Sequence, residues 1–109
     1  MDYQKLIIVG NVTRDAQRRT SKEGEVSYTT FRVAVSGGEE RTTFFPVAVF
    51  GKYGETIAPH ITKGRGLLVE GRIEVSQQGR FNVVADTIRL GARIDNREPK
   101  PVEKDSNTD

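Results

Sequence analysis

The sequence predicts an all-β fold, a small five-stranded barrel with one short helix between the third and fourth strands. Two observations carry this prediction. Between residues 6 and 90, β-branched and aromatic residues recur with the period of two that is typical of half-buried strands. Turns that contain glycine separate these stretches. With 109 residues, the chain has room for one such domain with one modest hydrophobic core.

The clearest alternation lies in the second predicted strand, where Phe31, Val33 and Val35 share one face. Gly37 and Gly38 then permit the reversal into the third strand. A short turn containing residues 77–79 joins the last two strands. The predicted strands cover residues 6–9, which end at the turn Gly10-Asn11, and residues 26–36, 42–50, 67–75 and 80–90.

One segment, residues 53–61, has helical spacing instead. Tyr53, Ile57 and Ile61 recur every four residues, and Pro59 interrupts the pattern, so we expect a short or distorted helix. Five short strands with one helix between the third and the fourth are the layout of the OB-fold, a Greek-key barrel that closes its own sheet edges.

The periodicity ends near residue 91. Beyond it, the chain contains two prolines, and Ile94 and Val102 are its sizeable apolar residues. We therefore expect residues 1–91 to form the OB-fold domain and residues 92–109 to form a disordered tail.

The composition bounds the location of the protein. Cysteine is absent, which excludes a disulfide scaffold and a thiolate zinc site. No apolar run approaches the length of a membrane span, and the N-terminus lacks the layout of a signal peptide. We expect a cytoplasmic protein without a membrane partner. The net charge of +2 is a mild basic bias, compatible with a polyanionic partner.

Few residues suggest catalysis. His60 is the single histidine and has no carboxylate at metal-ligand spacing, so a structural role is favoured. Asp15, Glu70 and Asp86 are scattered and form no acid–base pair. We expect a protein that is not an enzyme and that holds no cofactor and no metal.

Four segments, in order and in register over residues 4–90, resemble the bacterial-type single-stranded DNA-binding proteins, which have an OB-fold. The matching segments are residues 5–12 followed by Asp15, residues 31–36, residues 44–52 ending in Phe50-Gly51-Lys52, and Lys63-Gly64 with residues 69–73. The chain departs from that family in having no tryptophan, a short last hairpin and no acidic, hydrophobic C-terminal tip. It therefore resembles either a divergent member, phage-like or a paralogue, or a member whose chain has been cut short.

Binding a single strand without sequence choice requires aromatic faces for the bases and cations along the backbone. Alternation in the third strand places Phe44 and Phe50 on one face with Pro46 and Ala48 between them. Six residues of strand span about 20 Å, which suits two separately stacked bases. We predict that Phe44 and Phe50 stack on bases, and the resemblance supports both positions.

The other aromatic residues receive different predictions. Phe81 follows Arg80 in the last hairpin and is a further candidate for nucleic-acid binding. Tyr28 and Tyr53 are assigned to packing or to an interface, and Phe31 and Phe45 to the core.

The candidate cations fall into two sets. The resemblance implies backbone contacts for Lys5, Arg19, Lys52 and Lys63, whereas Arg32, Arg72 and Arg80 project from strands and are predicted to line the groove. Arg14, Arg18, Arg19 and Lys22 also form a basic cluster that we predict to lie in a loop, for which a solvated face is the alternative.

The leading hypothesis is sequence-tolerant binding of single-stranded DNA that protects exposed strands in replication, recombination or repair. The resemblance implies a homo-oligomer, a tetramer or a dimer, association with the nucleoid, and replication or repair proteins as partners. The alternative is an accessory barrel that resembles primosomal replication protein N and docks replication partners. The missing tryptophans and the short hairpin favour this alternative. RNA binding, and a barrel whose partner is another protein, also remain open.

Overall fold

The computed structural model describes residues 3–21 and 24–91, and these form the predicted barrel. The predicted tail, residues 92–109, lies outside the described residues, as does Lys22. The elements are β1 (Leu6–Val12), β2 (Gln17–Thr20), β3 (Ser27–Ser36), β4 (Thr42–Phe50), α1 (Gly51–Ile57), a 3₁₀ helix (Ala58–His60), β5 (Gly66–Val75) and β6 (Phe81–Leu90). The five predicted strands correspond to β1, β3, β4, β5 and β6, which confirms the all-β OB-fold prediction.

The strands form one sheet in the order β1-β5-β6-β4-β3-β2, and a pairing between β1 and β3 closes it into a barrel. Neighbouring strands are antiparallel except β4 and β6, which run parallel. The helix α1 connects β4 to the 3₁₀ helix and so lies between the third and fourth of the five predicted strands.

The strand β1 continues three residues beyond its predicted end. The prediction of a turn at Gly10-Asn11 is wrong, because β1 extends through these residues to pair with β3 at Asn11 and Val12. A side chain at Gly10 would collide with the carbonyl oxygen of Ala34, so glycine allows the two backbones to approach closely here. Gly10 therefore serves barrel closure and does not end the strand.

Alternation of side chains places the core inside the barrel, as the sequence predicts. Phe31 and Val33 are buried on the inner face of β3, and Phe45 packs against the core from β4. The buried cluster comprises Ile8, Val12, Phe31, Val33, Val47, Val49, Ile61, Leu67, Val69, Val83, Ala85 and Ile88.

One buried hydroxyl ties three elements together. Thr29, which is fully buried, donates a hydrogen bond to the carbonyl oxygen of Gly54 in α1 at 2.8 Å. Arg18 on β2 donates to the same hydroxyl at 2.7 Å. Since the hydroxyl both donates and accepts, Thr29 satisfies its own polar group and links β2 to α1 through β3.

The predicted short helix is present but begins two residues earlier, at Gly51. It ends at Ile57, and the chain continues as a 3₁₀ helix with Pro59 near its start. Ile61 is fully buried, and the hydroxyl of Tyr53 both accepts from the amide of Ile88 at 2.8 Å and donates to its carbonyl at 3.2 Å. The packing role predicted for Tyr53 is therefore observed. Among the described residues, no helix is long and apolar enough to cross a bilayer.

The short strand β2 has no counterpart in the sequence prediction. The prediction that Arg18 and Arg19 lie in a loop is wrong: both lie on β2, which pairs with β3 from Gln17↔Thr30 to Thr20↔Ser27. All four side chains of β2 are exposed, so the segment carries no apolar alternation. Backbone pairing with β3, rather than burial, makes it a strand.

Candidate nucleic-acid interface

The outer faces of β2, β3, β4 and β6 together form one surface, which we call the groove face. Phe44 and Phe50 point outward from β4 on this face and are 49% and 46% exposed. Pro46 and Ala48 lie between them on the same side of the strand. The face predicted for the two phenylalanines is thus the face that the structure presents to solvent.

A groove of about 820 Å³ runs over this face. It is lined by Thr13, Arg14, Asp15, Gln17, Arg19, Tyr28, Thr30, Phe31, Arg32, Pro46, Ala48, Phe50, Glu74, Arg80, Asn82 and Val84. The lining residues come from several neighbouring strands and from the turns beside them. The groove is therefore built by the sheet itself, not by a single loop.

One end of the groove is aromatic and cationic. Strand register aligns Arg19 on β2 with Tyr28 on β3, and Tyr28 with Phe50 on β4. The rings of Tyr28 and Phe50 have centroids 5.3 Å apart and are tilted by 36°. This cross-strand pair offers a wider aromatic surface than either ring alone, with a guanidinium beside it.

Neighbouring polar groups hold the Arg19 side chain in place. Its Nε donates to the Thr30 hydroxyl at 3.3 Å, and its Nη2 donates to Gln17 Oε1 at 2.9 Å. Since both acceptors are neutral, Arg19 keeps its full positive charge for an anion. A cation held in this way loses less rotamer freedom when it binds a phosphate.

The middle of the groove has a low, mostly apolar floor. Ala48 on β4 pairs with Thr30 on β3 and with Val84 on β6, and one step along the groove Arg32 pairs with Pro46. Small side chains in the central strand leave the floor open. A flat base can therefore lie against it without displacing a large side chain.

Beyond the other end of the groove, the same face carries the second phenylalanine. Because β4 and β6 run parallel, Phe44 near the start of β4 and Arg80 just before β6 lie at the same end. Ser76 Oγ accepts from the Arg80 amide at 3.2 Å, and the Ser76 amide donates to the Arg80 carbonyl at 2.7 Å. These two hydrogen bonds close the turn between β5 and β6 and so hold the backbone of Arg80 in place.

The charge of the lining favours an anion. The lining contains two carboxylates, those of Asp15 and Glu74, and four arginines, Arg14, Arg19, Arg32 and Arg80. The carboxylate of Asp15 accepts the backbone N–H of Lys63 at 2.8 Å, which fastens one rim of the groove to the turn before β5. The carboxylate of Glu74 pairs with Arg72 at 3.1 Å.

The structure brings four of the ten candidate binding residues, Phe50, Arg19, Arg32 and Arg80, into the groove lining. Phe44 shares their face beyond the lining. The other five lie outside the lining, and nucleic-acid contact remains a prediction for all ten. Phe81 is on the inner side of β6, opposite Arg80, with its ring 6.4 Å from that of Phe45.

The other four are cations outside the lining. Lys5 lies 3.7 Å from the Glu70 carboxylate, and Arg72 lies between two carboxylates, those of Glu74 at 3.1 Å and Asp86 at 3.5 Å. Lys52 is an exposed residue of α1, and Lys63 an exposed residue of the turn before β5.

Sequence reasoning misses several residues of the lining, above all Tyr28, which it assigns to packing or an interface. The register Tyr28↔Phe50 is the signal that identifies it, because a residue paired directly with an outward phenylalanine also faces outward. Asn82 and Glu74 are missed for the same reason, because their position on the groove face depends on the pairing of β5 with β6.

A second apolar surface lies on the other side of the barrel, and we call it the β1 face. Ile7 and Val9 point outward from β1 and are 53% and 61% exposed. Val9 pairs with Leu68 on β5, which is partly exposed beside it. The exposed apolar side chains of this surface are aliphatic, with Glu70 opposite Ile7, whereas those of the groove face are aromatic and lie among arginines.

The part of the chain that the structure describes holds no group of three or more histidine, cysteine, aspartate or glutamate side chains that would suit a metal ion. The groove therefore offers stacking surfaces, guanidinium groups and hydrogen-bonding side chains. These are the components that bind a flexible nucleic-acid strand.

Comparison with known proteins agrees with this geometry. The model of the single-strand binding protein family matches residues 3–92. The single-stranded DNA-binding protein of Clostridium perfringens is 32% identical over 90 residues, which cover 77% of this chain and 60% of the relative. That of Thermotoga maritima is 29% identical over 109 residues, covering 89% and 77%.

Solved structures show the same architecture. A deletion mutant of the single-stranded DNA binding protein from Thermus aquaticus superposes with a TM-score of 0.70 at 29% identity, covering 92% of this chain and 45% of that one. The SSB domain of a Synechococcus protein superposes with a TM-score of 0.69 at 12% identity, covering 81% and 96%, and supports the fold alone.

Proposed function

Because the chain belongs to the single-strand binding protein family, whose model matches residues 3–92, we propose that it binds single-stranded DNA in the groove described above. The observation that carries the proposal is the groove face itself. It combines aromatic rings at both ends, an open floor between them and four arginines. A duplex presents no free base faces, so this surface suits a single strand.

The expected affinity follows from the number of stacking sites. Stacking contributes about 1–3 kcal/mol per base, and Phe44 and Phe50 lie about 20 Å apart along β4. Two such platforms, joined to phosphate contacts from the arginines, support dissociation constants of about micromolar or below for one barrel.

Fluorescence-anisotropy titration with labelled dT oligomers and a matched duplex tests the proposal. We expect binding to dT that weakens with salt, and much weaker binding to the duplex. Phe44→Ala and Phe50→Ala should each reduce affinity for dT by about fivefold or more, since each removes one stacking surface.

Tyr3→Ala is the matched control, because Tyr3 is also an exposed aromatic residue but precedes β1 and does not line the groove. Equal losses for all three variants would show that the groove face is not the stacking surface. Wild-type protein that ignores dT would overturn the proposal and favour the docking-protein alternative.

The same family membership supports finer proposals about assembly and role. The β1 face is the surface that we propose to pair in a homo-oligomer, a dimer or a tetramer, because it leaves Ile7 and Val9 in water. The match spans 60% of the length of the Clostridium relative. We also propose that the whole protein contacts other replication or repair proteins. We further propose a binding protein without catalytic activity that works in the cytoplasm, at the nucleoid.

A further inference from the structure

The groove contains a carboxylate where a polyanion would lie. Glu74 on β5 lines it, although a negative charge there repels phosphate and weakens non-specific binding. Its side chain is 56% exposed and is not part of the core. A position that opposes backbone binding suggests a different contact, with the edge of a base.

Strand register places Glu74 beside an amide. Glu74 pairs directly with Asn82 on β6. Asn82 lies two residues before Val84, just as Pro46 lies two residues before Ala48, and Ala48 pairs with Val84. Glu74, Asn82 and Pro46 therefore form one row across three adjacent strands.

Two inter-strand spacings, about 10 Å, separate the backbone of Glu74 from that of Pro46. Pro46 lies between Phe44 and Phe50 on the groove face. A base that lies against the floor between the two phenylalanines therefore has the Glu74–Asn82 pair within reach of one of its edges.

Ion pairing holds the Glu74 carboxylate at the wall of the groove. Its Oε2 accepts from Arg72 at 3.1 Å, and Arg72 also lies 3.5 Å from Asp86. Arg72 thus faces two carboxylates, so it does not cancel the negative charge of this wall. Both oxygens of Glu74 still carry acceptor lone pairs, since one hydrogen bond does not saturate a carboxylate.

Among the four bases, guanine fits this pair best. The Watson–Crick edges of an unpaired strand are free to hydrogen-bond. On that edge guanine presents N1–H and N2–H as two adjacent donors, which match a carboxylate, and O6 beside them as an acceptor. Thymine presents one donor between two carbonyl oxygens, and adenine and cytosine each place a ring-nitrogen acceptor next to their amino group.

We propose that Glu74 and Asn82 make the groove prefer guanine over thymine in single-stranded DNA. Glu74 accepts from N1–H and N2–H, and Asn82 donates its side-chain N–H to O6. The inference rests on the proposed binding of single-stranded DNA and adds a base preference to it.

The test compares dT oligomers with the same oligomers carrying spaced guanines, in lithium buffer so that guanines do not associate with one another. We expect the wild type to bind the guanine-containing strand about fivefold tighter, near the lower end of what a bidentate base contact provides. Hypoxanthine in place of guanine removes the N2 amino group alone and should abolish most of this difference.

Glu74→Gln and Asp86→Asn separate base reading from charge. Both remove one negative charge facing Arg72, but Asp86 does not line the groove. Glu74→Gln should bring the guanine-to-thymine ratio close to one, whereas Asp86→Asn should keep the wild-type ratio. Both should bind dT somewhat more tightly, since each removes a charge that repels phosphate.

The outcomes distinguish the two proposals. Equal wild-type affinity for both strands, with dT bound well, overturns the base preference and leaves single-strand binding intact. A guanine preference that survives in Glu74→Gln also overturns the assignment. Failure of the wild-type protein to bind any of these strands overturns both proposals.

Discussion

The groove face and the β1 face expose apolar side chains to a similar degree, yet they suit different partners. Phe44 and Phe50 are about as exposed as Ile7 and Val9. The phenylalanines share their face with arginines and an open floor, whereas Val9 lies beside Leu68 and Ile7 lies opposite Glu70. Aromatic faces and cations attract bases and phosphates, while aliphatic surface is best buried against more aliphatic surface. Exposure alone therefore does not identify a binding site; the neighbouring side chains do.

Charging the β1 face should have the largest effect, because it removes a whole interface. We expect Ile7→Lys combined with Val9→Lys to convert an oligomer into single chains, since buried unpaired cations oppose association. Light scattering measures the change. Val75→Lys is the control: Val75 is 65% exposed and lies at the β5–β6 hairpin, so the oligomer should persist. A wild-type mass equal to one chain would show that the β1 face does not pair.

Truncating Tyr28 should come next and should affect the groove face alone. Tyr28→Ala removes half of the aromatic pair with Phe50, so we expect affinity for dT to fall by about 1–2 kcal/mol.

Tyr53→Phe provides the contrasting variant, because it deletes a hydroxyl that both donates to and accepts from Ile88. It should lower the free energy of unfolding by about 1 kcal/mol and leave dT binding unchanged. Denaturant titration and anisotropy measure the two quantities. A loss of dT affinity in Tyr53→Phe that matches the loss in Tyr28→Ala would contradict the assignment.

Removing single arginines should have a smaller effect, visible in the salt dependence. Arg19→Gln and Arg80→Gln should each reduce the slope of log K against log salt by about 0.7, because each abolishes about one phosphate contact on a single strand. Arg89→Gln provides the comparison, since Arg89 is exposed on β6, pairs with Leu68 and does not line the groove. An equal change in slope for Arg89→Gln would indicate that overall charge, not the groove face, sets the binding.

The smallest expected effect concerns a turn outside both faces. Glu39 and Glu40, in the β3–β4 hairpin, have φ of 60° and 66°, which strains side chains other than glycine and asparagine. Replacing the pair with Asn-Gly should raise the free energy of unfolding by about 0.5–1 kcal/mol, because those residues favour a turn with two positive φ angles. Urea denaturation measures it. A decrease in stability would mean that the glutamates make a compensating contact in solution.

Sequence pattern suffices for prediction wherever side chains alternate. The period of two in β4 alone predicts that Phe44 and Phe50 point outward and that Phe45 and Val47 point inward, and the structure confirms both. The pattern is insufficient for β2, whose four polar residues become a strand through hydrogen bonds to β3. The sequence pattern also does not predict which residues pair across neighbouring strands. The position of Tyr28 beside Phe50 depends on register between strands, which one strand's pattern does not contain.

The closure of the barrel has a consequence for the order in which the chain folds. Along β1, Leu6 pairs with Gly71 and Asn11 pairs with Ala34, so the first strand waits for partners far along the chain. Closing such long loops slows folding, and barrels dominated by distant pairings fold in about milliseconds to seconds. Until β1 has paired, its apolar side chains are exposed to solvent on both faces of the strand. A newly made chain is therefore most prone to aggregate in the interval before β5 is available to its first strand.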